Sequence, residues 1–217
     1  MKRNLSYSEF RLFNRNRDEY VRHYVNGFEQ EPTPQMVLGS IIHSTIADPR
    51  YPWLMELRKL GYEKRKIMII RKLLDKMATK RSPQGEVGMT ATTKSGIKLF
   101  SIFDGLDKKD RILYEYKTAD YKDAWTQWTV DRHRQLSFYA YVFHLTYHSF
   151  FREIRLYFLN TKNATIKTFN TARGIRDIEH IGDEIEKCVE EMKSLGIWEK
   201  RLSREDRIRK SMIPLFV

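Results

Sequence analysis

The spacing of apolar and polar residues divides the chain into stretches of different period. Up to residue 82, apolar positions recur at three- and four-residue intervals, the signature of helices buried on one side. Ser6-Tyr-Ser-Glu9 has capping-box spacing and predicts a helix from about residue 7, with Phe10, Phe13, Tyr20 and Tyr24 on one face and Arg11, Arg15, Arg17 and Arg22 elsewhere. Thr33-Pro34 reads as an N-cap followed by proline at the first helical position, opening a helix that carries Met36, Val37, Gly39, Ile41, Ile42 and His43. A proline-containing link at 48–52 ends it. Helices over about 53–60 and 62–80 follow, the second strongly basic with Lys64, Arg65, Lys66, Arg71, Lys72, Lys76 and Lys80.

Beyond Ser82-Pro-Gln-Gly85 the period shortens to two. Strands are predicted near 86–93, 97–107 and 111–118, with turns at Lys94-Ser-Gly96 and around Lys108-Lys-Asp110. An aromatic-rich helix at about 131–148 leads to strands at 152–160 and 165–170 and a helix at 175–195 closed by Gly196. The tail is charged over 199–210 and apolar at 213–217. A strand meander followed by a crossover helix implies an α/β fold with a mixed central sheet, one side of it covered by the N-terminal helices. The division expected is a single domain over 217 residues: a helical region at 1–82, a core at 83–170, and a C-terminal helix and tail at 171–217.

Charge narrows the partners. A formal net charge of +12 favours a polyanion, nucleic acid before an anionic membrane surface. The one cysteine, Cys188, excludes an internal disulfide framework and a cysteine-rich zinc or iron–sulfur site, and its setting in Ile185-Glu-Lys-Cys-Val-Glu-Glu-Met192 reads as packing. There is no apolar run of membrane-span length, and the first residues lack the apolar core of a signal peptide. The expected location is the cytoplasm, or the host cytoplasm for a viral protein.

The chemistry concentrates between Phe103 and Tyr139. In a strand over 111–118, Glu115 and Lys117 share one face, and Tyr114 and Tyr116 take the other. If the preceding hairpin turns at Lys109-Asp110, paired residue numbers sum to 219, Asp104 lies opposite Glu115, and Lys117 lies opposite Ile102. Opposed carboxylates repel unless a cation sits between them. Oxygen ligands without thiols point to Mg²⁺ or Mn²⁺, and an imidazole from His43 suits Mn²⁺. Lys117 could orient a water or neutralise charge developing on phosphorus. Gln135 and Tyr139, four apart, stack on one helix face and present an amide and a phenol to a phosphate or to Lys117. Singly, each feature is ordinary: Glu-x-Lys as a solvated strand face, a lone histidine as core, Gln-x-x-x-Tyr as an amphipathic helix. Their order along the predicted elements, and an aspartate inside the otherwise apolar run Leu99-Phe-Ser-Ile-Phe-Asp104, make the combination informative. Trp125 and Trp128 read either as stacking platforms for unpaired bases or as core, and the Phe and Tyr cluster at 138–151 reads as core.

These motifs, Leu5-Ser-Tyr-Ser-Glu-Phe10, Gly39-x-x-x-His43, Asp104-Gly105, Glu115-Tyr-Lys117-Thr118 and Gln135-x-x-x-Tyr139, resemble in order those of the RecB-like branch of the PD-(D/E)XK nuclease superfamily. The resemblance spans Leu5 to about Asn170. It implies a restriction-endonuclease-like core with a mixed sheet flanked by helices. His43, Asp104, Glu115 and the Tyr116 carbonyl would be metal ligands, and Lys117 the catalytic lysine. Gln135 and Tyr139 would contact the lysine region and DNA. Apart from the resemblance, His133 and Arg134, which directly precede Gln135, are expected to reach a backbone phosphate. Glu86 is a further acidic candidate. Many relatives carry four cysteines for an iron–sulfur cluster; this chain lacks them, so no cluster is expected. No ATP-binding loop is present, so unwinding would come from another protein, or the substrate would already offer ends or single strands. The stand-alone build looks most like the viral or mobile-element exonucleases of recombination, repair or viral DNA processing, and a homo-oligomer encircling DNA would suit that action. The alternatives are a structure-specific endonuclease, an enzyme acting on RNA, and an inactive DNA-binding protein on the same fold.

Overall fold

The computed structural model describes residues 4–28, 31–121, 124–203 and 205–207; the expected apolar end at 213–217 lies outside them. The elements are β1 (Leu5–Ser6), α1 (Tyr7–Arg15), α2 (Arg17–Tyr20), a π-helical turn (Val21–Val25), α3 (Pro34–Ala47), α4 (Trp53–Lys59), α5 (Lys64–Met77), β2 (Val87–Thr92), β3 (Lys98–Phe103), β4 (Gly105–Asp107), β5 (Ile112–Ala119), α6 (Gln127–Asp131), α7 (Arg134–Tyr147), β6 (Glu153–Asn160), β7 (Thr165–Thr171) and α8 (Ile175–Ser194).

Helix starts follow their local chemistry. Ser6 Oγ accepts from the Glu9 amide at 3.3 Å, and Thr33 Oγ1 from the Met36 amide at 3.3 Å. Glu9 does not complete the expected capping box. Its side chain turns into the core, where Tyr20 Oη and Arg201 Nη1 donate to Oε1 at 3.1 and 3.0 Å. The helix expected from residue 7 through Tyr24 is also interrupted. Asn16 has extended backbone angles, caps α2 by accepting from the Glu19 amide at 3.0 Å, and so restarts the helix. Phe10, Phe13, Tyr20 and Tyr24 are all buried across that break.

The strand expected over 97–107 is two strands in two sheets. β3 lies in a three-stranded sheet of order β1-β3-β2, pairing in parallel with β1 and antiparallel with β2. β4 begins a four-stranded sheet of order β4-β5-β6-β7, in which only β5 and β6 are parallel. Asp104 is the residue between them. The β4–β5 register is the expected one: Gly105 pairs with Tyr114 and Asp107 with Ile112, each summing to 219. The pairing of Lys117 with Ile102 fails, because Ile102 pairs with Gly88 in the other sheet and Lys117 with Phe158 on β6. The chain leaves one sheet for the other at a glycine with no room for more. A Cβ on Gly105 would fall on the Ser82 side chain.

Helices cover both faces of the four-stranded sheet. On one side, Leu113, Leu156 and Phe158 pack into a core with residues of α1, α7 and α8, including Phe10, Phe138 and Ile181. On the other, Ile112, Tyr114, Tyr116 and Tyr157 pack with residues of α3 and α5, including Ile42, Ile70 and Leu73. The alternation along β5 therefore sends Glu115 and Lys117 to the α7 side and the two tyrosines to the α3 side. Among the described residues no helix is long and apolar enough to cross a membrane.

Candidate active site

Glycine at position 39 brings α3 down onto β5. A Cβ there would lie 3.0 Å from Thr118 Oγ1, so even an alanine would press on that hydroxyl. One turn further, His43 comes within reach of the sheet junction, where its Nδ1 lies 3.2 Å from Asp104 Oδ1. The Gly39-x-x-x-His43 spacing is thus a helical turn that begins with a close approach.

Asp104 does a second job. β4 pairs with β5 only as far as Gly105 and Tyr114, and beyond it Tyr116 donates its amide to Asp104 Oδ2 at 2.8 Å. The carboxylate takes the place of the strand that has just departed. Burial opposes charge on Asp104, but protonated His43, the Tyr116 amide and Lys117 outweigh it and hold the carboxyl below the ordinary range. Burial likewise opposes charge on His43, and Asp104 overrides it and lifts the imidazole's pKa.

Glu115 is buried to 1% exposure, and its Oε1 is 2.6 Å from Lys117 Nζ. Lys117 Nζ also donates to Gln135 Oε1 at 2.8 Å, and Gln135 Nε2 donates to Tyr139 Oη at 2.6 Å. Gln135 and Tyr139 project from α7 onto the Glu115 face of β5. Burial is the largest influence on Glu115 and, with Asp104 adding repulsion, pushes its carboxyl up to about 7 against the pull of Lys117. Burial also works against the Lys117 ammonium, but Glu115 and its hydrogen bond prevail and keep it protonated. Burial raises the Tyr139 phenol far above its usual range, so it stays neutral.

One atom is left over. Glu115 Oε2 is buried and has no hydrogen-bond partner. With Asp104, the His43 imidazole and no thiol nearby, the donor chemistry fits a hard divalent cation. Among the described residues, however, no three His, Cys, Asp or Glu side chains are gathered closely enough to form a ready-made metal cluster. His43 and Asp104 line an open cleft of about 560 Å³ together with Gly39, Ser40, Glu86 and Thr118. Glu86 is exposed at its edge. Tyr116 points its ring to the other face, where its phenol accepts from the Ser82 amide at 3.3 Å.

Arg134 is engaged by α8 and α1, and its charge also reaches Tyr7. It is 2.7 Å from Glu184 Oε2 on α8 and lies over the Phe10 ring at 5.1 Å. Two neighbours of the site were not anticipated. Tyr7 packs edge-on against Phe138 at 5.8 Å, and its phenol, raised by burial, feels Lys117 and Glu115. Arg173 is buried and donates to Val130 O at 2.9 Å, Ser137 Oγ at 2.9 Å and His133 O at 3.4 Å, which fixes the start of α7 around Gln135. Tyr7 adjoins a capping motif that was legible. Arg173 sits in an ordinary Thr-Ala-Arg-Gly run that carries no signal. His133, between Trp125 and Lys117, is held neutral by burial and neighbouring positive charge, its pKa lowered to about 3.

Neither a protein-family model nor a curated protein sequence matches the chain. Among solved structures the fold is similar to that of a "putative exonuclease" from Eubacterium rectale, with a TM-score of 0.65 over 93% of this chain and 84% of that one, at 13% sequence identity. At that identity the likeness establishes the shared mixed α/β architecture.

Proposed function

We propose that this chain is a divalent-metal-dependent deoxyribonuclease of the RecB-like PD-(D/E)XK type, acting as an exonuclease. The observation that carries the reading is Glu115. A carboxylate buried to 1% exposure, close to a second carboxylate and left with one unpartnered oxygen, is costly in a fold with nothing to bind there. A cation shared with Asp104 would satisfy it. The five motifs and the exonuclease name carried by the structural relative support the same conclusion.

Mg²⁺ or Mn²⁺ held by His43, Asp104, Glu115 and the Tyr116 carbonyl would polarise a phosphodiester and ease deprotonation of an attacking water. The chain's own groups do the rest. Lys117 keeps its proton at neutral pH and offers fixed positive charge to the phosphate as negative charge grows. Gln135 aims that ammonium through its amide oxygen, and Tyr139 fixes the amide's orientation. Asp104 holds the middle of β5 through the Tyr116 amide, between Glu115 and Lys117. The cleft between α3 and the sheet junction gives the substrate backbone an approach to His43 and Asp104.

The test is cleavage of end-labelled linear and closed-circular DNA, single- and double-stranded, with Mn²⁺, Mg²⁺ or EDTA. Metal-dependent loss of linear DNA with circles spared is the expected outcome, abolished in Lys117→Ala and Asp104→Ala variants that still fold. Cutting of circles would make the enzyme an endonuclease. Failure on every substrate with both metals would favour a DNA-binding protein on an inactive nuclease fold.

A further inference from the structure

The chain's two neighbouring tryptophans have opposite fates. Trp125 packs against the core and sets its ring edge-on to His133 at 4.8 Å. Trp128, on α6, is 64% exposed, and the Arg132 guanidinium lies 4.6 Å from its ring centroid. A singly exposed aromatic is ordinary on a protein surface; what sets this one apart is the cation across its ring and the anchoring of its short helix.

Its mounting is rigid. Thr126 caps α6, accepting from the Thr129 amide at 3.2 Å, while Thr129 Oγ1 accepts from the Thr126 amide at 2.9 Å. Gln127 Nε2 ties α6 to the β7 edge through Asn170 O at 2.9 Å and to Asp131 at 2.8 Å. The buried Arg173 grips the Val130 carbonyl at the helix's far end. The same guanidinium reaches His133 O, two residues before the glutamine that holds Lys117. β7, on which α6 rests, is two strands from β5, and the anchoring Asn170 is level with Tyr114, three residues along β5 from Lys117, so α6 is tied to the sheet on the order of 14 Å from that lysine's place in the strand. Through Val130, α6 packs into the core on the α7 side of the sheet.

We propose that Trp128, with Arg132 across its ring, is a stacking platform for an unpaired base of the substrate strand. The class of substrate rests on the nuclease reading above. A flat π face beside a cation accepts a nucleobase on one surface and its phosphate at the edge. The net charge of +12 and the Arg132 guanidinium at the ring favour an anionic occupant. Bases inside a duplex are stacked on both faces and a terminal pair on one, whereas every base of a single strand or a frayed end can turn a face to the ring. The platform thus selects DNA that reaches the site single-stranded.

The experiment uses the full chain in EDTA, where binding is separated from cleavage. Affinities for a fluorescein-labelled oligo-dT and a blunt duplex are measured by anisotropy, and tryptophan fluorescence is followed during titration with unlabelled oligo-dT. Trp128→Ala is expected to weaken oligo-dT binding about ten-fold or more, the size of one lost base–aromatic stack, and to leave the blunt duplex unaffected. Trp128→Phe should bind nearly as the parent does but lose most of the quenching. Unchanged oligo-dT affinity in Trp128→Ala, or an equal loss on both DNAs, overturns the platform while leaving the nuclease reading intact if the parent cleaves DNA. A parent chain that neither binds nor cleaves DNA overturns both.

Discussion

Glu115 and Lys117 form an ion pair, the glutamate buried and the lysine partly exposed, whose members do not stand equally without each other. The glutamate's carboxyl is lifted to about 7 from an ordinary value of 4.5, so its protonated form is already within reach. The sign follows: this group favours the folded state most below pH 4.5, and that contribution is lost as pH rises through about 7. Remove Lys117 and the carboxyl can take a proton and stay buried as a neutral group. Remove Glu115 and an ammonium is left in the same place, still donating to the Gln135 amide oxygen but without its nearest carboxylate. Glu115→Ala is therefore expected to cost about 1.5–3 kcal/mol at pH 7 by urea unfolding, the usual loss of a hydrogen bond to a charged group. Lys117→Met should cost clearly less, and its deficit should shrink further at pH 5. Equal losses at both pH values would show that Glu115 is ionised regardless of its partner. These residues were legible in the sequence because each motif lies within one element: Glu-x-Lys on one strand face, Gln-x-x-x-Tyr on one helix face. Arg173 was not, because its partners lie on α6 and α7, some forty residues away along the chain.

β3 and β4 show where the pattern stops informing. Leu99, Ser101 and Phe103 alternate inward without a gap, and nothing in that alternation says that the next residue changes sheets. The register of the hairpin was recoverable because turn length and face constrain it locally. The split was not, because β3's partners are set by β1 and β2, and a two-residue strand such as β1 has no period to read. Glu9 went astray for a related reason: capping-box spacing cannot reveal that a buried Arg201 near the C-terminus competes for the same carboxylate. α6 escaped the pattern too, being only five residues long. The crossing from β3 to β4 is nonetheless testable. Gly105→Ala would drive its new methyl into Ser82, with Tyr114 Cβ also only 3.2 Å from the added carbon. The expected loss is about 1–3 kcal/mol, typical of overpacking. Adding Ser82→Gly removes the obstructing side chain and should restore part of that loss in thermal or urea unfolding. A double variant no better than the single would mean that the glycine is required for the path of the backbone and not for the space beside Ser82.

Sheet and helices together leave positive charge on two sides of the molecule, and the two make different demands on DNA. On the α3 side, α5 buries Ile70, Leu73, Leu74 and Met77 against the sheet. Lys66 and Lys76 are engaged there, donating to the Thr161 and Ala164 carbonyls at 2.7 Å each, and so serve the β6–β7 turn. Lys64, Arg65, Arg71 and Lys72 remain exposed on the outer face. On the α7 side stand Arg132 and Trp128. A duplex lying across α5 would be held through phosphates alone, without regard to sequence and with strong salt dependence. A single strand on the α7 side would depend more on stacking and less on salt. Replacing Arg71 and Lys72 together by alanine discriminates between these paths. If duplex DNA lies on α5, affinity should fall for every sequence tested, and the slope of log affinity against log salt should become shallower by about two. Binding of oligo-dT should then change little. If the slope is unaltered, the basic face of α5 is a solvated helix surface, and the route of DNA to Lys117 runs along α6 and α7.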